Sequence, residues 1–372
     1  MNDSKPSNAD IGSAAEPRHQ SMGIIYVKSG SGHRQSYADL LGPVLGLSPV
    51  MGPMSRALKK RLLAADRLFF ATLDDDLVSF ASIALRRAAL GRATVALFLG
   101  PQSCFGPFNF KRFLKKSIFV VLRLVPKVTV ASIIPLSLAP EYGSVVDVGL
   151  HDPQWWDMHD GHVLRQPGHT PVATEVHRLA GGRPIVCWLG SASVHKGFAF
   201  MVEILEANPD IAKRVYFISA GTAKSEQALA SRFKSMGGMH IDRRLTDAEW
   251  ESLYGVADAV WACYDPRYDQ ASGVFGRALQ FGVPAIVRRG SLIETAARKF
   301  DAPVHAIDFG DCDAAATELS KIAKADRGTA ATKEREQKIE SWRNDFISST
   351  MRALDGSRIP TPNSSRERHD QA

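Results

Sequence analysis

Two short runs in the second half of the chain carry the residue types that grip a phosphate. In Trp188-Leu189-Gly190-Ser191-Ala192-Ser193-Val194-His195-Lys196-Gly197 an apolar stretch empties into a glycine turn and then a helical pattern. Glycine at such a turn lets backbone approach a ligand, and a lysine at the helix start adds a cation to the free N–H groups there. Taken alone, Lys196 reads as an ordinary solvated lysine. The second run, Ser272-Gly273-Val274, opens another helical pattern. Its first N–H groups lack intrahelical acceptors and lie at the positive end of the helix dipole, so they form an anion site that Ser272 both caps and extends by one donor. Further on, Gly282-Val283-Pro284 reads as a helix stop and strand start. In the first half, Ser29-Gly30-Ser31-Gly32-His33-Arg34 is a glycine-bearing turn after an apolar run. Gly30 and Gly32 suit close approach of a ligand, although any turn uses glycine. His33 is a candidate contact beside them, with a surface histidine as the alternative. Asp74-Asp75-Asp76 ends a strand-like run. Asp75 is the candidate for addressing a second substrate, with helix N-capping as the alternative.

These residues need a scaffold that brings strand ends together. Apolar runs at residues 23–27, 68–72, 93–99 and 128–133 alternate with helical patterns. A polar, tryptophan-bearing link covers 151–175. A second alternation follows, with strands at 184–189, 214–219, 239–241, 259–263 and 284–287 and helices between them. Thr246 with Glu249 three residues on predicts a capping box for one of those helices. Alternation of this kind predicts an α/β chain of two Rossmann-like, doubly wound domains facing a cleft, with ligands at the carboxyl edges of the strands. The expected division is a tail over 1–22, a first domain with link over 23–175, a second over 176–332, a crossover helix over 333–354 and a tail over 355–372. At 372 residues the chain suits two such domains.

Three features keep the order and spacing of a known family. They are the run from Trp188 to Gly197; Leu245-Thr246-Asp247-Ala248-Glu249-Trp250 leading through Leu253-Tyr254 and Ala257-Asp258; and Ser272-Gly273-Val274, Arg277-Ala278-Leu279 and Gly282-Val283-Pro284-Ala285-Ile286. Together, over residues 184–300, they resemble the donor domain of the family-4 type (group 1, retaining) glycosyltransferases of GT-B fold. The resemblance implies an enzyme that moves a hexose-type sugar, with retention, from a nucleotide sugar to a saccharide or lipid-linked saccharide in surface polysaccharide synthesis. It implies no cofactor beyond the nucleotide-sugar co-substrate and no metal-binding carboxylates. Lys196, Asp269 and Arg277 become the catalytic candidates. Lys196 and the Ser272 helix start would stabilise the leaving diphosphate, and Asp269 would orient sugar hydroxyls. Gly190, Ser191, His195, Arg244, Leu245, Ser272, Gly273 and Val274 become donor-binding candidates, with Gly30 and Gly32 facing them. Leu245 and Arg244 fall where the family packs the nucleotide base; a loop of solvated arginines is the other reading.

The sequence departs from the family at three places. Asp269 is shorter than the usual Glu, Arg277 stands where a second acid is usual, and Ser191 replaces an arginine. A guanidinium only donates hydrogen bonds, so Arg277 suits a phosphate and not a ribose hydroxyl. Arg277 or His195 would then take over the cation missing at Ser191. Two rivals follow: a non-catalytic glycosyltransferase-like partner subunit, and a nucleotide-sugar epimerase on the same fold.

The net charge of +7 is uneven, because residues 52–130 hold 14 Lys and Arg against 4 Asp and no Glu. Two basic segments, residues 54–63 and 108–125, interleave Lys and Arg with Leu and Phe, a pattern that suits an anionic membrane surface. A core-facing helix with a solvated basic face is the alternative. No apolar run reaches spanning length, and the polar start lacks the apolar core of a signal peptide. The expected location is cytoplasmic, peripheral on the inner face of the membrane. Cys104, Cys187, Cys263 and Cys312 form no C-x-x-C pair, which argues against a structural zinc. No helix-turn-helix or aromatic-basic motif points to nucleic acid.

Overall fold

The structure is a computed structural model that describes residues 23–29, 33–74, 76–162, 164–223, 226–324 and 329–357. Six strands form the first sheet: β1 (Ile24–Val27), β2 (Ser48–Met51), β3 (Leu68–Phe70), β4 (Thr94–Phe98), β5 (Val128–Ser132) and β6 (Val148–Gly149). They lie in the order β2-β1-β3-β4-β5-β6, and every neighbouring pair is parallel. The second sheet holds β7 (Ile185–Leu189), β8 (Tyr216–Ala220), β9 (Met239–Ile241), β10 (Ala259–Ala262), β11 (Ala285–Arg288) and β12 (Val304–Ile307). Its order is β12-β11-β10-β7-β8-β9, again parallel throughout. This is the two-sheet α/β architecture that the alternation predicts.

Parallel strands are covered by helices on both faces, so their sequences lose the in-out alternation and become continuous apolar runs. All of β1 and all of β7 are buried. Cys187 and Cys263 sit in this interior as small apolar groups, and burial pushes the Cys263 thiol well above its ordinary range. Three strands escape the sequence reading. β2 is an edge strand whose Pro49 interrupts the pattern, and an edge tolerates a missing donor. β6 has two residues, and β12 is an edge strand that is only half-buried.

Strand order reverses between β1 and β3 in the first sheet and between β7 and β10 in the second. A crevice opens outside the strand ends at each reversal. Two segments tie the sheets together. Residues 152–158 leave β6 and lie along the helix Gly273–Phe281: the Met158 N–H donates to Gln280 Oε1 at 2.8 Å, and Gln280 Nε2 donates to the Gln154 carbonyl at 3.0 Å. The fit depends on Gly276, because a Cβ there would fall within the Trp155 ring and 2.8 Å from the Gln154 carbonyl oxygen. The two tryptophans of the polar link are therefore buried against a glycine-bearing helix face.

The second tie is the helix Thr329–Leu354, which covers the expected crossover segment. Trp342 stacks on His151 with ring centres 4.5 Å apart and meets Phe300 edge-on at 4.8 Å. Phe346 lies 5.3 Å from Trp156. Burial and the nearby Lys299 charge pull His151 down to about 3, so it packs as a neutral ring. Beyond the helix, Asp355 accepts from Arg67 at 2.6 Å, so the residues just after 354 pack on the first sheet's side.

Candidate active site

The crevices of the two sheets face each other across one cleft of about 450 Å³. Its second-sheet wall starts at the end of β7. Gly190 leaves the strand at φ +135°, and Gly221, leaving β8 at φ +137°, packs so closely on the Gly190 carbonyl that a Cβ at 221 would overlap it. The chain then makes a single 3₁₀ turn over Val194–Lys196 before the helix Phe198–Ala207. The Trp188 indole N–H donates to the Lys196 carbonyl at 3.1 Å and fixes that turn on the strand below. The Lys196 side chain returns over the strand end, and its Nζ is 3.7 Å from where a Cβ on Gly190 would stand. Among the described residues no carboxylate pairs with this ammonium, and burial pulls its pKa down.

The wall continues at the helix start that follows β10. Ser272 accepts from the Phe275 N–H at 3.2 Å and shares a hydrogen bond with the Tyr264 hydroxyl at 2.8 Å, while its carbonyl accepts from the Trp155 indole at 3.3 Å. Capping by Ser272 is thus observed. Gly273 and Val274 line the cleft, and among the described residues their first-turn N–H groups have no hydrogen-bond acceptor. Gln154 from the link lies directly on Gly273, where a Cβ would displace its side chain. Arg244 and the half-buried Leu245 line the cleft at the loop before the helix Asp247–Val256, and Thr246 and Glu249 form the expected capping box. Ser191 also lines it.

Other candidates are placed differently. Arg277 reaches the cleft, but its guanidinium donates to Asp157 Oδ2 through Nε at 3.1 Å and a terminal nitrogen at 2.7 Å. Asp157 Oδ1 accepts from Gln280 Nε2 at 2.9 Å, and the neighbouring acidic charge raises the Arg277 pKa despite burial. The positive charge at 277 is therefore answered inside the protein. Asp269 is turned out of the cleft: its Oδ1 accepts from the Leu292 N–H at 2.9 Å and pairs with Arg288 at 3.2 Å. His195 is exposed and lies outside the cleft lining; its carbonyl accepts from the Asp265 N–H at 3.1 Å. Neither Arg277 nor His195 is set to supply the cation missing at Ser191. Gly30, Gly32 and Asp75 lie outside the described residues, as does the side chain of His33. Of the acidic run, Asp74 accepts from the N–H groups of Leu99 and Gly100 at 2.9 and 3.0 Å, and Asp76 pairs with Lys28 at 3.6 Å.

The facing wall contains residues that sequence reading missed. Ser36 and Tyr37 come from the helix His33–Leu45, Leu99 and Ile133 from the ends of β4 and β5, and Asp152 and Gln154 from the link. The Tyr37 hydroxyl donates to Asp152 Oδ1 at 2.9 Å, and the Gln154 N–H donates to the same oxygen at 2.8 Å. Burial pushes Asp152 up to about 7. Tyr264 and Tyr268 meet edge-on at 5.5 Å on the opposite side, and Gln102 spans the cleft to Gln270 at 2.7 Å. The only advance signal for this wall was the mixture of buried-type tryptophans and polar residues in the link. Among the described residues no group of three His, Cys, Asp or Glu is placed to hold a metal. The cleft can bind an anion at Lys196 and the open helix start, and hydroxyl-bearing or planar groups along its tyrosine and carboxyl side.

No protein-family model and no curated protein matches the sequence. Solved structures do. Anabaena Alr3699/HepE, in complex with UDP-glucose, superposes with a TM-score of 0.58 at 13% identity, covering 90% of this chain and 96% of that one. A glycosyltransferase from Rickettsia africae gives 0.54 at 11%, covering 90% and 96%. WaaG, a glycosyltransferase involved in lipopolysaccharide biosynthesis, gives 0.51 at 9%, covering 90% and 98%. The chain therefore has the GT-B fold over nearly its whole described length.

Proposed function

We propose that the protein transfers a hexose-type sugar from a nucleotide sugar, of which a UDP-sugar is the first choice, to a saccharide or lipid-linked saccharide. One observation carries the reading: Lys196, whose half-buried ammonium has no carboxylate partner among the described residues, and the helix start at Gly273 and Val274 line one cleft. Two such groups match a diphosphate, and a cleft of this size matches a nucleotide-sized ligand. The fold neighbour bound to UDP-glucose supports the choice of nucleotide. In the reaction an acceptor hydroxyl oxygen bonds to the sugar anomeric carbon, the bond from that carbon to the diphosphate oxygen breaks, the hydroxyl proton passes to the leaving diphosphate, and negative charge grows on that oxygen as the bond breaks. Lys196 and the helix start stabilise the charge without moving, which is how preorganised groups speed such steps. Retention of configuration and a role in surface polysaccharide synthesis are part of the proposal, supported by the motif resemblance.

A panel of UDP-, GDP-, dTDP- and ADP-sugars in a thermal-shift assay tests it. A donor at about 100 times its Kd stabilises the fold by roughly 2.7 kcal/mol. One nucleotide class is expected to shift the wild type and to shift Lys196→Ala clearly less at the same concentration. No shift with any class overturns the transferase reading in favour of a non-catalytic partner subunit.

A second proposal concerns the acceptor. The helix Phe110–Leu124 carries Lys111, Arg112, Lys115 and Lys116 and no acid, yet Phe110, Phe113, Leu114, Val121 and Leu124 are at least half exposed. Exposed apolar groups flanked by cations fit an anionic lipid surface. Lys115 donates to Ser103 at 2.8 Å in the turn that also carries Gln102, so the patch borders the cleft mouth. The segment at 54–63 contributes less, because Lys59 is turned onto Ser82 at 3.0 Å. Among the described residues no helix is long and apolar enough to cross a membrane; the contact we propose is this surface patch against the anionic inner face. Flotation with vesicles of phosphatidylglycerol tests this. Binding lost in Phe110→Ser/Phe113→Ser supports it, and no binding to such vesicles refutes it.

A further inference from the structure

Asp269, the carboxyl expected to orient the sugar, faces away from the cleft, and the second acidic position is Arg277, already paired. A hexose in this cleft still offers several hydroxyls that need acceptors. Among the described residues the cleft lining contains two acidic residues, Asp247 and Asp152. Asp247 is exposed at the start of its helix, beside Arg244 and Leu245, on the side given above to the nucleotide base. Asp152 is different in three respects.

First, it is held. Oδ1 takes the Tyr37 hydroxyl and the Gln154 N–H, so the carboxyl plane is fixed from both sides of the link. Second, it has capacity left. Among the described residues Oδ2 has no hydrogen-bond partner, while the residue is 2% exposed and lines the cleft. Oδ2 therefore keeps contact with the cleft and can accept from a ligand hydroxyl there in place of water. Third, it is in the right place. Gln154, two residues on, lies on Gly273, the first residue of the helix whose open N–H groups form the phosphate site. A sugar attached to a phosphate at that helix start would lie close to it, within reach of the link residues that line the same cleft.

We propose that Asp152 is the carboxyl that reads a hydroxyl of the transferred sugar, accepting its hydrogen bond at Oδ2, in place of the outward-turned Asp269. The inference rests on the nucleotide-sugar reading and assigns the sugar subsite to the link between the sheets. Tyr37 and Gln154 act as positioning groups that fix the orientation of the carboxyl. Specificity among hexoses then depends on the link segment, which is anchored to the first sheet by Tyr37 and to the second by Gln280.

Calorimetric titration with UDP and with UDP-glucose separates the two claims. The wild type is expected to bind UDP-glucose more tightly than UDP, the difference being the sugar increment. Asp152→Asn keeps an acceptor for Tyr37 and Gln154 but loses the charge at Oδ2. It is expected to lose the increment by about tenfold while UDP affinity stays within about twofold. Asp152→Ala loses the increment entirely. Tyr37→Phe, which removes one donor to Oδ1 and leaves Oδ2, keeps most of it. In a panel of monodeoxy UDP-glucose analogues, one analogue is expected to bind the wild type as weakly as UDP-glucose binds Asp152→Asn. An equal loss for UDP and UDP-glucose in Asp152→Asn means a purely structural role and overturns the assignment. A wild type that binds UDP with no sugar increment overturns it as well. A wild type that binds neither, nor any of the GDP-, dTDP- and ADP-sugars, fails the nucleotide-sugar reading itself.

Discussion

The two walls of the cleft are built from different materials. The second-sheet wall presents backbone N–H groups, an unpaired lysine and glycine turns at the ends of β7 and β8 and after β10. The first-sheet and link wall presents a tyrosine, two apolar strand ends, a glutamine and a buried carboxyl. One wall is suited to a phosphate, which asks for positive charge and close backbone. The other is suited to hydroxyls, which ask for acceptors held in a fixed direction. On the proposed function, affinity for the nucleotide and selectivity for the sugar would reside on opposite sides of such a cleft and could be altered separately.

That contrast can be broken at several points. The largest expected effect is on the phosphate wall. Lys196→Ala removes a cation that no carboxylate among the described residues balances, and loss of transfer on the order of 10²–10³-fold is expected in steady-state kinetics. Retention of full activity in that variant removes the phosphate wall as described. Next comes the seam between the walls. Gly276→Val puts side-chain atoms where Trp155 and the Gln154 carbonyl lie, and a loss of roughly 2–4 kcal/mol in chemical denaturation is expected. Unchanged stability there contradicts the packing of the link on the helix Gly273–Phe281.

Asp152→Asn sharpens the other wall. The Asp152 carboxyl is raised from an ordinary value of 3.8 to about 7, chiefly by burial. Between those values the folded protein binds the extra proton, so this group makes stability fall as pH rises through that window. The groups facing it are the Gln154 N–H, the Tyr37 hydroxyl, Asp157 and Arg277, with Tyr268 nearby; burial and the Asp157 charge disfavour the charged form, while the two hydrogen bonds and Arg277 favour it. The variant should be more stable than the wild type at pH 8, by about 2–4 kcal/mol, and nearly equal at pH 4. Thermal melts across pH 4–8 check it, and parallel curves for the two proteins exclude the raised carboxyl. The smallest effect on the fold lies outside the cleft: Phe110→Ser/Phe113→Ser should change stability by less than about 0.5 kcal/mol while abolishing vesicle binding.

The same contrast explains how much could be read from the sequence. Continuous apolar runs such as those of β1 and β7 reveal buried parallel strands directly, and the two-sheet fold follows from their alternation with helices. The phosphate wall was legible because its chemistry is local: Gly190 and Lys196 lie six apart, and Ser272, Gly273 and Val274 are consecutive. A backbone N–H needs only a helix start, which sequence spells out. The opposite wall draws Tyr37, Leu99, Ile133 and Asp152 from four places in the chain, and no spacing unites them. Asp152 in particular is defined by its burial and by Tyr37, 115 residues away. Asp269 and Arg277 show the converse. Their positions matched a motif, but Leu292, Arg288 and Asp157, which the motif does not contain, decide where their charges point.

The central claim is that one cleft grips a diphosphate through Lys196 and the helix start at Gly273. The most direct measurement is calorimetric titration of UDP-glucose into the wild type and into Lys196→Ala at one ionic strength. The account predicts saturable one-to-one binding to the wild type, weakened on the order of tenfold to a hundredfold in the variant. Equal affinity in both proteins would contradict it, because the ligand would then be held somewhere that does not use the ammonium.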